Sequence, residues 1–171
     1  VVAIGYDTRF MSGHFASTAA DVFGANEIKV LLSTEITPTP TLSTAVVNRK
    51  ADLGIMITAS HNPYHYNGYK IKGPFGGSAT MDMIGDIEAE VEKVNYSYGR
   101  SGIPTEAKEE VSGNIIKENF TDEYIKHAIG QVDADTLRGF DFKVLFEPMY
   151  GASQDIFRKI LSGFDAKNIV E

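Results

Sequence analysis

The sequence has no cysteine among its 171 residues. Disulfide bonds, thiolate chemistry and cysteine-based zinc sites are therefore excluded, and the absence fits a cytoplasmic protein. Long hydrophobic runs are missing as well, since no apolar stretch approaches the roughly 20 residues that a transmembrane helix needs. We therefore expect a cytoplasmic location and no membrane partner.

Positive charge is also scarce. The chain has 16 Lys and Arg residues against 23 Asp and Glu residues, which gives a formal net charge of −7. Because a phosphate backbone selects clustered Lys and Arg, this balance argues against a nucleic-acid partner. The length of 171 residues and the hydrophobic share of 43% are enough for one domain with a core and the start of another.

Several catalytic and phosphate-binding motifs are absent. The chain has no G-x-S-x-G elbow, no Walker loop and no G-x-G-x-x-G turn. A serine hydrolase is disfavoured further, because the adjacent side chains of Ser60 and His61 point in divergent directions. The glycine-containing run at 73–77 carries a Pro-Phe insertion, which favours a tight connection over a phosphate cradle.

Apolar runs mark the strands of the first part of the chain. The runs at 1–4, 28–32 and 53–57 are apolar on both faces, as is typical of buried parallel strands. Residues 69–72 predict a short edge strand. The fold class is therefore predicted to be α/β, with a mixed, mostly parallel sheet and helices on both faces.

Helical periodicity fills the gaps between these strands. Three helices are predicted to begin near Ser12, Thr41 and Thr80. Ser12 is expected to act as an N-cap, and Phe15, Ala19 and Phe23 recur at the spacing of one buried helix face.

Residues 95–118 lose this periodicity and are interpreted as a connection. The elements predicted beyond it are a helix at 122–129, a strand at 142–146, a helix that starts near Ile156 and stops at Gly163, and the start of a strand at 168–171. We predict a first domain at 1–117, followed at 118–171 by a linker helix and the truncated start of a second α/β domain. Because natural termini are usually polar, the apolar character of both ends predicts an excised segment.

Polar residues that could take part in catalysis or ligand binding follow the third predicted strand. In open parallel sheets, ligands bind where loops leave the carboxyl ends of strands. Ser60 lies in such a loop, with His61 beside it and Lys70 and Lys72 close behind, and Arg9 follows the first strand at the same edge. A phosphorylated serine needs donors and cations around it. Taken alone, however, a Ser-His pair in a loop is usually a polar turn.

The full string Thr58-Ala59-Ser60-His61-Asn62-Pro63, followed by Asn67-Gly68-Tyr69-Lys70, resembles the active-site loop of the α-D-phosphohexomutases. That family includes phosphoglucomutase, phosphomannomutase and phosphoglucosamine mutase. Three further segments resemble the family in the same order along the chain: 5–9, 37–40 and 147–152. The resemblance covers nearly the whole sequence and implies the first domain of such an enzyme plus the start of the second.

The resemblance implies a specific reaction. Ser60 would be the phosphoserine, and the enzyme would interconvert hexose 1-phosphate and hexose 6-phosphate, of glucose and/or mannose, through a hexose 1,6-bisphosphate. Lys70 and His61 would help to move protons. Arg9, Thr58 and Asn62 would contact substrate or phosphate. Phosphoglucosamine mutase and a non-catalytic phosphosugar-binding relative are the alternatives, and the sequence makes no prediction of oligomeric state.

The resemblance also implies Mg²⁺. The ion would be held by the phosphate on Ser60 and by three aspartates of an Asp-Gly-Asp-x-Asp-Arg loop, which this sequence lacks. The run Asp133-Ala134-Asp135 is the nearest imitation and is interpreted as a surface turn. We therefore expect the 171 residues alone to lack mutase turnover.

Overall fold

The computed structural model describes residues 1–98, 113–133, 135–136, 143–164 and 169–170. Seven strands lie in these ranges: β1 (Val2–Tyr6), β2 (Val30–Ser33), β3 (Leu53–Ile57), β4 (Tyr69–Lys72), β5 (Ile115–Glu118), β6 (Val144–Leu145) and β7 (Ile169–Val170). Five helices accompany them: α1 (Ser12–Ala25), α2 (Thr39–Asn48), α3 (Met81–Tyr98), α4 (Thr121–Gly130) and α5 (Ile156–Ser162).

The first five strands form one sheet in the order β4-β3-β1-β2-β5. Strand β1 at the centre is parallel to both β2 and β3, and β2 is parallel to β5. Strand β4 returns antiparallel to β3 at the edge of the sheet. The predicted mixed, mostly parallel sheet is therefore confirmed, including its short edge strand.

Two apolar cores cover the two faces of this sheet. Alternate residues of a strand point to opposite faces, and Ile4 packs with Ala16 and Ala20 of α1, whereas Ala3 packs with Leu42 and Val46 of α2. These side chains are fully buried. The helices therefore lie on both faces, as predicted.

The buried face of α1 differs in part from the predicted one. Helix α1 begins at Ser12, and Met11 before it has a left-handed φ of 60°, so Ser12 is not the N-cap. Phe15 is 42% exposed, whereas Ala19 and Phe23 are partly buried and pack against the core as predicted; the buried residues of the helix are Ser12, Ala16, Ala20 and Gly24. Small side chains on this face let the helix lie close to the sheet, which the spacing of larger apolar residues does not reveal.

The connection predicted at 95–118 is wrong at both ends. Helix α3 continues to Tyr98, and β5 adds a fifth strand to the sheet, with Ile115 opposite Val30 and Glu118 opposite Ser33. The middle of that segment lies outside the described residues. Strand β5 ends one residue beyond 117, and the domain boundary itself stays a prediction.

Arg49, directly after α2, joins three elements. Its Nε donates to Glu118 at the end of β5 at 2.8 Å, and its Nη1 donates to Glu123 in α4. The hydrogen bond to Glu118 is the main reason that the pKa of Arg49 is raised. Burial would raise the pKa of Glu123, but hydrogen bonds from Arg49 and Asn48 outweigh it and lower that pKa.

The last two strands form a separate two-stranded sheet. Strands β6 and β7 pair in parallel, and the ring of Phe146 lies 4.6 Å from that of Phe157 in α5. Helix α5 packs against α4 and ends before Gly163, as predicted. Strand β6 is shorter than the predicted 142–146, of which residue 142 lies outside the described residues. Within the described ranges, no helix is both long and apolar enough to span a membrane.

Candidate active site

The loop between β3 and β4, here called the serine loop (residues 58–68), lies beside the turn that follows β1. Tyr6 is opposite Ile57 in the register of the two strands, so both end at the same edge of the sheet. The N–H of Asp7 extends this ladder by donating to the carbonyl of Ile57 at 3.1 Å. The parallel arrangement therefore brings Arg9 and Ser60 to one edge, as the sequence predicts.

Ser60 has an unusual main-chain conformation. Its φ is 57°, in the left-handed region that costs a non-glycine residue about 1–2 kcal/mol. The side chain is exposed, and the N–H donates to Oγ1 of the buried Thr58 at 3.0 Å. Such a conformation persists where the surroundings hold it, and it occurs frequently at functional sites.

The two ends of the serine loop meet at Thr58 and Gly68. The N–H of Thr58 donates to the carbonyl of Gly68 at 2.9 Å. A Cβ on Gly68 would lie 2.7 Å from the carbonyl oxygen of Thr58, so only glycine fits without displacement. The loop is thus closed at its base by main-chain contacts.

Arg9 binds the serine loop through four main-chain carbonyls. Nη1 donates to those of Pro63 and Tyr66 at 2.9 and 3.0 Å. Nη2 donates to those of Ser60 and Asn62 at 2.8 and 2.7 Å. Because each terminal nitrogen carries two hydrogens, all four are used. A phosphate would have to displace a loop carbonyl to accept a hydrogen bond from either nitrogen.

Asp7 orients Arg9 and connects it to the other end of the loop. Its Oδ2 lies 3.4 Å from Nε of Arg9, and its Oδ1 accepts the hydroxyl of Ser12 at 2.9 Å. Nδ2 of Asn67 donates to that same hydroxyl oxygen at 2.9 Å. Oδ1 of Asn67 accepts the N–H of Gly68 at 2.8 Å. A continuous network therefore ties both ends of the serine loop to the turn after β1.

A cavity of about 1160 Å³ opens beside the serine loop. Five residues predicted from the sequence line it: Arg9, Thr58, Ser60, His61 and Asn62. The turns at 38–40 and 149–153 contribute further lining. The segments singled out at opposite ends of the sequence thus meet around one space, large enough for a small-molecule ligand.

Lys70 does not line this cavity. It lies exposed on β4, opposite Met56, and lines a separate groove of about 480 Å³ together with Glu88 of α3. Lys72, two residues further on the same strand, is 9% exposed, and its pKa is lowered by burial and then by the charge of Lys70. The proton-transfer role predicted for Lys70 stays a prediction.

The comparisons with known proteins agree with this arrangement. A family model described as phosphoglucomutase/phosphomannomutase, alpha/beta/alpha domain I, matches residues 1–97. The chain belongs to the phosphoglucomutase/phosphomannomutase family. Among curated relatives of this family, phosphoglucomutase of Staphylococcus epidermidis is 34% identical over 166 residues, which are 96% of this chain and 30% of the relative. Phosphoglucomutase of Staphylococcus aureus is 33% identical over 175 residues, 99% of this chain and 31% of the relative.

Solved structures of the family have the same fold. A protein of Thermus thermophilus, provisionally assigned as a phosphomannomutase, superposes with a TM-score of 0.81 at 30% identity, over 98% of this chain and 36% of that one. A phosphoglucomutase/phosphomannomutase family protein of Burkholderia thailandensis gives 0.75 at 19% identity over 99% and 35%, which shows the fold alone. The chain therefore spans about a third of the length of the family members that it matches.

The described side chains do not provide the carboxylate cluster that a magnesium ion needs. Among the described residues, no group of three or more His, Cys, Asp or Glu side chains could hold a metal ion. Asp133 is exposed and accepts hydrogen bonds from Thr136, which lower its pKa, whereas Ala134 lies outside the described residues. These residues do not make a magnesium site by themselves.

Sequence reasoning missed the residues that hold the serine loop. Asp7, Ser12 and Asn67 carry the network but were not named as site residues. The signals were present, because Asp7 and Ser12 flank Arg9 closely and Asn67-Gly68 is a turn dipeptide. Their mutual contacts, however, join positions 55 residues apart.

Proposed function

We propose that this chain carries the phosphoserine segment of an enzyme that interconverts hexose 1-phosphate and hexose 6-phosphate, of glucose and/or mannose. Ser60 carries the phosphate. The family relationship supports the reaction class, and the chain covers about 30% of the length of its curated relatives.

The observation that carries the proposal is the placement of Ser60. Its exposed side chain lies at the carboxyl edge of the parallel sheet and lines the cavity of about 1160 Å³. The carboxyl edge of the sheet is where α/β folds bind ligands, and the Ser60 hydroxyl lies at this edge. The left-handed main chain, closed at its base by Gly68, holds it there.

The proposed reaction moves one phosphoryl group at a time. A hydroxyl oxygen of the hexose phosphate bonds to phosphorus as the bond from phosphorus to Ser60 Oγ breaks, and a base accepts the hydroxyl proton. The resulting bisphosphate returns its other phosphoryl group to Ser60 by the reverse step. His61 and Lys70 are the proposed proton carriers, and Thr58 and Asn62 the proposed phosphate contacts. Positioning and charge neutralisation dominate such transfers.

A sugar bisphosphate and a metal ion belong to the proposal. Hexose 1,6-bisphosphate is the intermediate and activator. Mg²⁺ is proposed for the complete enzyme, with the phosphate on Ser60 as one ligand, and no step here is assigned to it because the described residues do not form its site. A cytoplasmic location stays a prediction.

The test uses the complete product of the gene that encodes these residues, with and without Ser60→Ala. We expect the wild-type product, given Mg²⁺ and glucose 1,6-bisphosphate, to convert glucose 1-phosphate to glucose 6-phosphate and to carry one phosphate on Ser60 by peptide mass spectrometry. Ser60→Ala should abolish both. Full activity in that variant would rule out the phosphoserine.

Two comparisons complete the experiment. Parallel assays with mannose and glucosamine phosphates separate the glucose and mannose enzymes from phosphoglucosamine mutase, and binding without turnover would identify a non-catalytic relative. The 171-residue chain alone should show no conversion, because it supplies about 30% of a relative's length.

A further inference from the structure

Arg9 has a contact pattern that is unusual for a phosphate ligand. Its four terminal N–H groups all point at carbonyls of the serine loop, at 2.7 to 3.0 Å. Its side chain is only 13% exposed. Phosphate ligands instead present free donors to a cavity, as bidentate arginines do. The guanidinium is therefore already saturated by its own chain.

The carbonyls bound by Arg9 lie along most of the loop. Those of Ser60 and Asn62 come from its first half, that of Pro63 from its midpoint and that of Tyr66 from its second half. A planar guanidinium with fixed donor directions can hold all of them in one arrangement. With its carbonyls drawn towards Arg9, the loop leaves the Ser60 side chain on the cavity lining.

We propose that Arg9 is a positioning residue, which holds the serine loop in the conformation that presents Ser60 to the cavity, by binding loop carbonyls instead of a phosphate. Asp7 orients the guanidinium, and Asn67 fixes the far end of the loop through Ser12. Only the catalytic consequence rests on the proposed function.

Lysine cannot replace arginine in this role. An ammonium group has three donors on a flexible stem, whereas the loop offers four carbonyls to a rigid fork. Arg9→Lys therefore keeps the positive charge and loses the geometry. For a residue that acted only by its charge on phosphate, the same change would be conservative.

The test measures hydrogen exchange in the 171-residue chain without phosphate. The reporters are loop amides that donate hydrogen bonds, those of Ser60, Asn62, Tyr66 and Gly68. We expect Arg9→Lys and Arg9→Met both to speed their exchange by about tenfold or more. Arg158→Met, at an exposed position of α5, makes the same change of charge as Arg9→Met and should leave these amides unaffected.

Exchange of the β1 and β3 amides shows whether each variant is folded. Loop exchange unchanged in a folded Arg9→Lys chain, or changed only after inorganic phosphate is added, would overturn the proposal. A second measurement needs no variant. In the phosphate-free wild-type chain, NMR should resolve the Nη hydrogens of Arg9, because four carbonyls restrict their rotation. A rotationally averaged signal would also overturn it.

The complete gene product supplies the catalytic readout. Arg9→Lys should lower kcat by about 10- to 100-fold through misplacement of Ser60, with a smaller change in KM. A raised KM with unchanged kcat and unchanged loop exchange would instead identify a phosphate ligand. If the wild-type product has no mutase activity, the proposed function fails, whereas the exchange result still decides the role of Arg9.

Discussion

Gly68→Ala probes the closure of the serine loop at its base. The added Cβ would lie 2.7 Å from the carbonyl oxygen of Thr58, closer than real Cβ contacts come. This neighbour is main chain, and the N–H of Thr58 is itself bonded to the Gly68 carbonyl at 2.9 Å, so it cannot turn aside. The two segments must separate by several tenths of an ångström. Overpacking of this kind costs about 1–3 kcal/mol of the free energy of unfolding.

Urea denaturation followed by circular dichroism measures this loss. With a slope of about 2 kcal/mol/M, the midpoint should fall by about 0.5–1.5 M. Gly85→Ala is the matched control, because a Cβ there meets nothing within 4 Å and the residue lies inside α3. It should raise stability by up to about 1 kcal/mol, the difference in helix propensity.

The comparison of the two variants shows whether Gly68 and Thr58 are in close contact. If Gly68→Ala proves as stable as the wild-type chain while Gly85→Ala behaves as expected, the close contact at the base of the loop is not what the structure implies. A destabilised Gly68→Ala chain should also exchange the Ser60 amide faster, since Thr58 accepts its hydrogen bond.

Two further predictions concern the Arg49 contacts. Arg49→Met leaves Glu118 and Glu123 without their shared donor and should lower the free energy of unfolding by about 1 kcal/mol, a modest figure because these side chains are 26% to 37% exposed. The pKa of Glu123 is lower in the folded chain than its ordinary value of 4.5. The ionised carboxylate therefore contributes fully to the free energy of unfolding above that value, and the contribution is lost as the pH falls through the pKa of the folded state. The variant should therefore lose less stability than the wild-type chain between about pH 7 and about pH 3.5; equal losses would contradict this.

The central sheet could be predicted because its strands carry the signal themselves. The run Leu53–Ile57 was predicted with its observed bounds, and so was the edge strand Tyr69–Lys72. A strand covered by helices on both faces must be apolar throughout, which a single sequence displays directly. Because the predicted strands are parallel, the sequence also predicts that Arg9 and Ser60 lie at one edge of the sheet.

The parts that escaped prediction depend on partners distant in sequence. Strand β5 (Ile115–Glu118) is short and half polar, and only its pairing with β2 makes it a strand. The hydrogen bonds of the Arg9 side chain are accepted by main-chain carbonyls. Every residue has such a carbonyl, so no pattern of side chains predicts these contacts. Ser12 resembles a helix cap in the sequence, but its hydroxyl donates to Asp7 instead.

The left-handed main chain at Ser60 also restricts which amino acid can supply the hydroxyl. Threonine offers the same oxygen, yet its branched β-carbon collides with the main chain at this φ, and it would pull the loop out of shape. Aspartate and asparagine tolerate the conformation but bring no hydroxyl. Either serine or threonine could supply the hydroxyl group, but the main-chain conformation at position 60 favours serine.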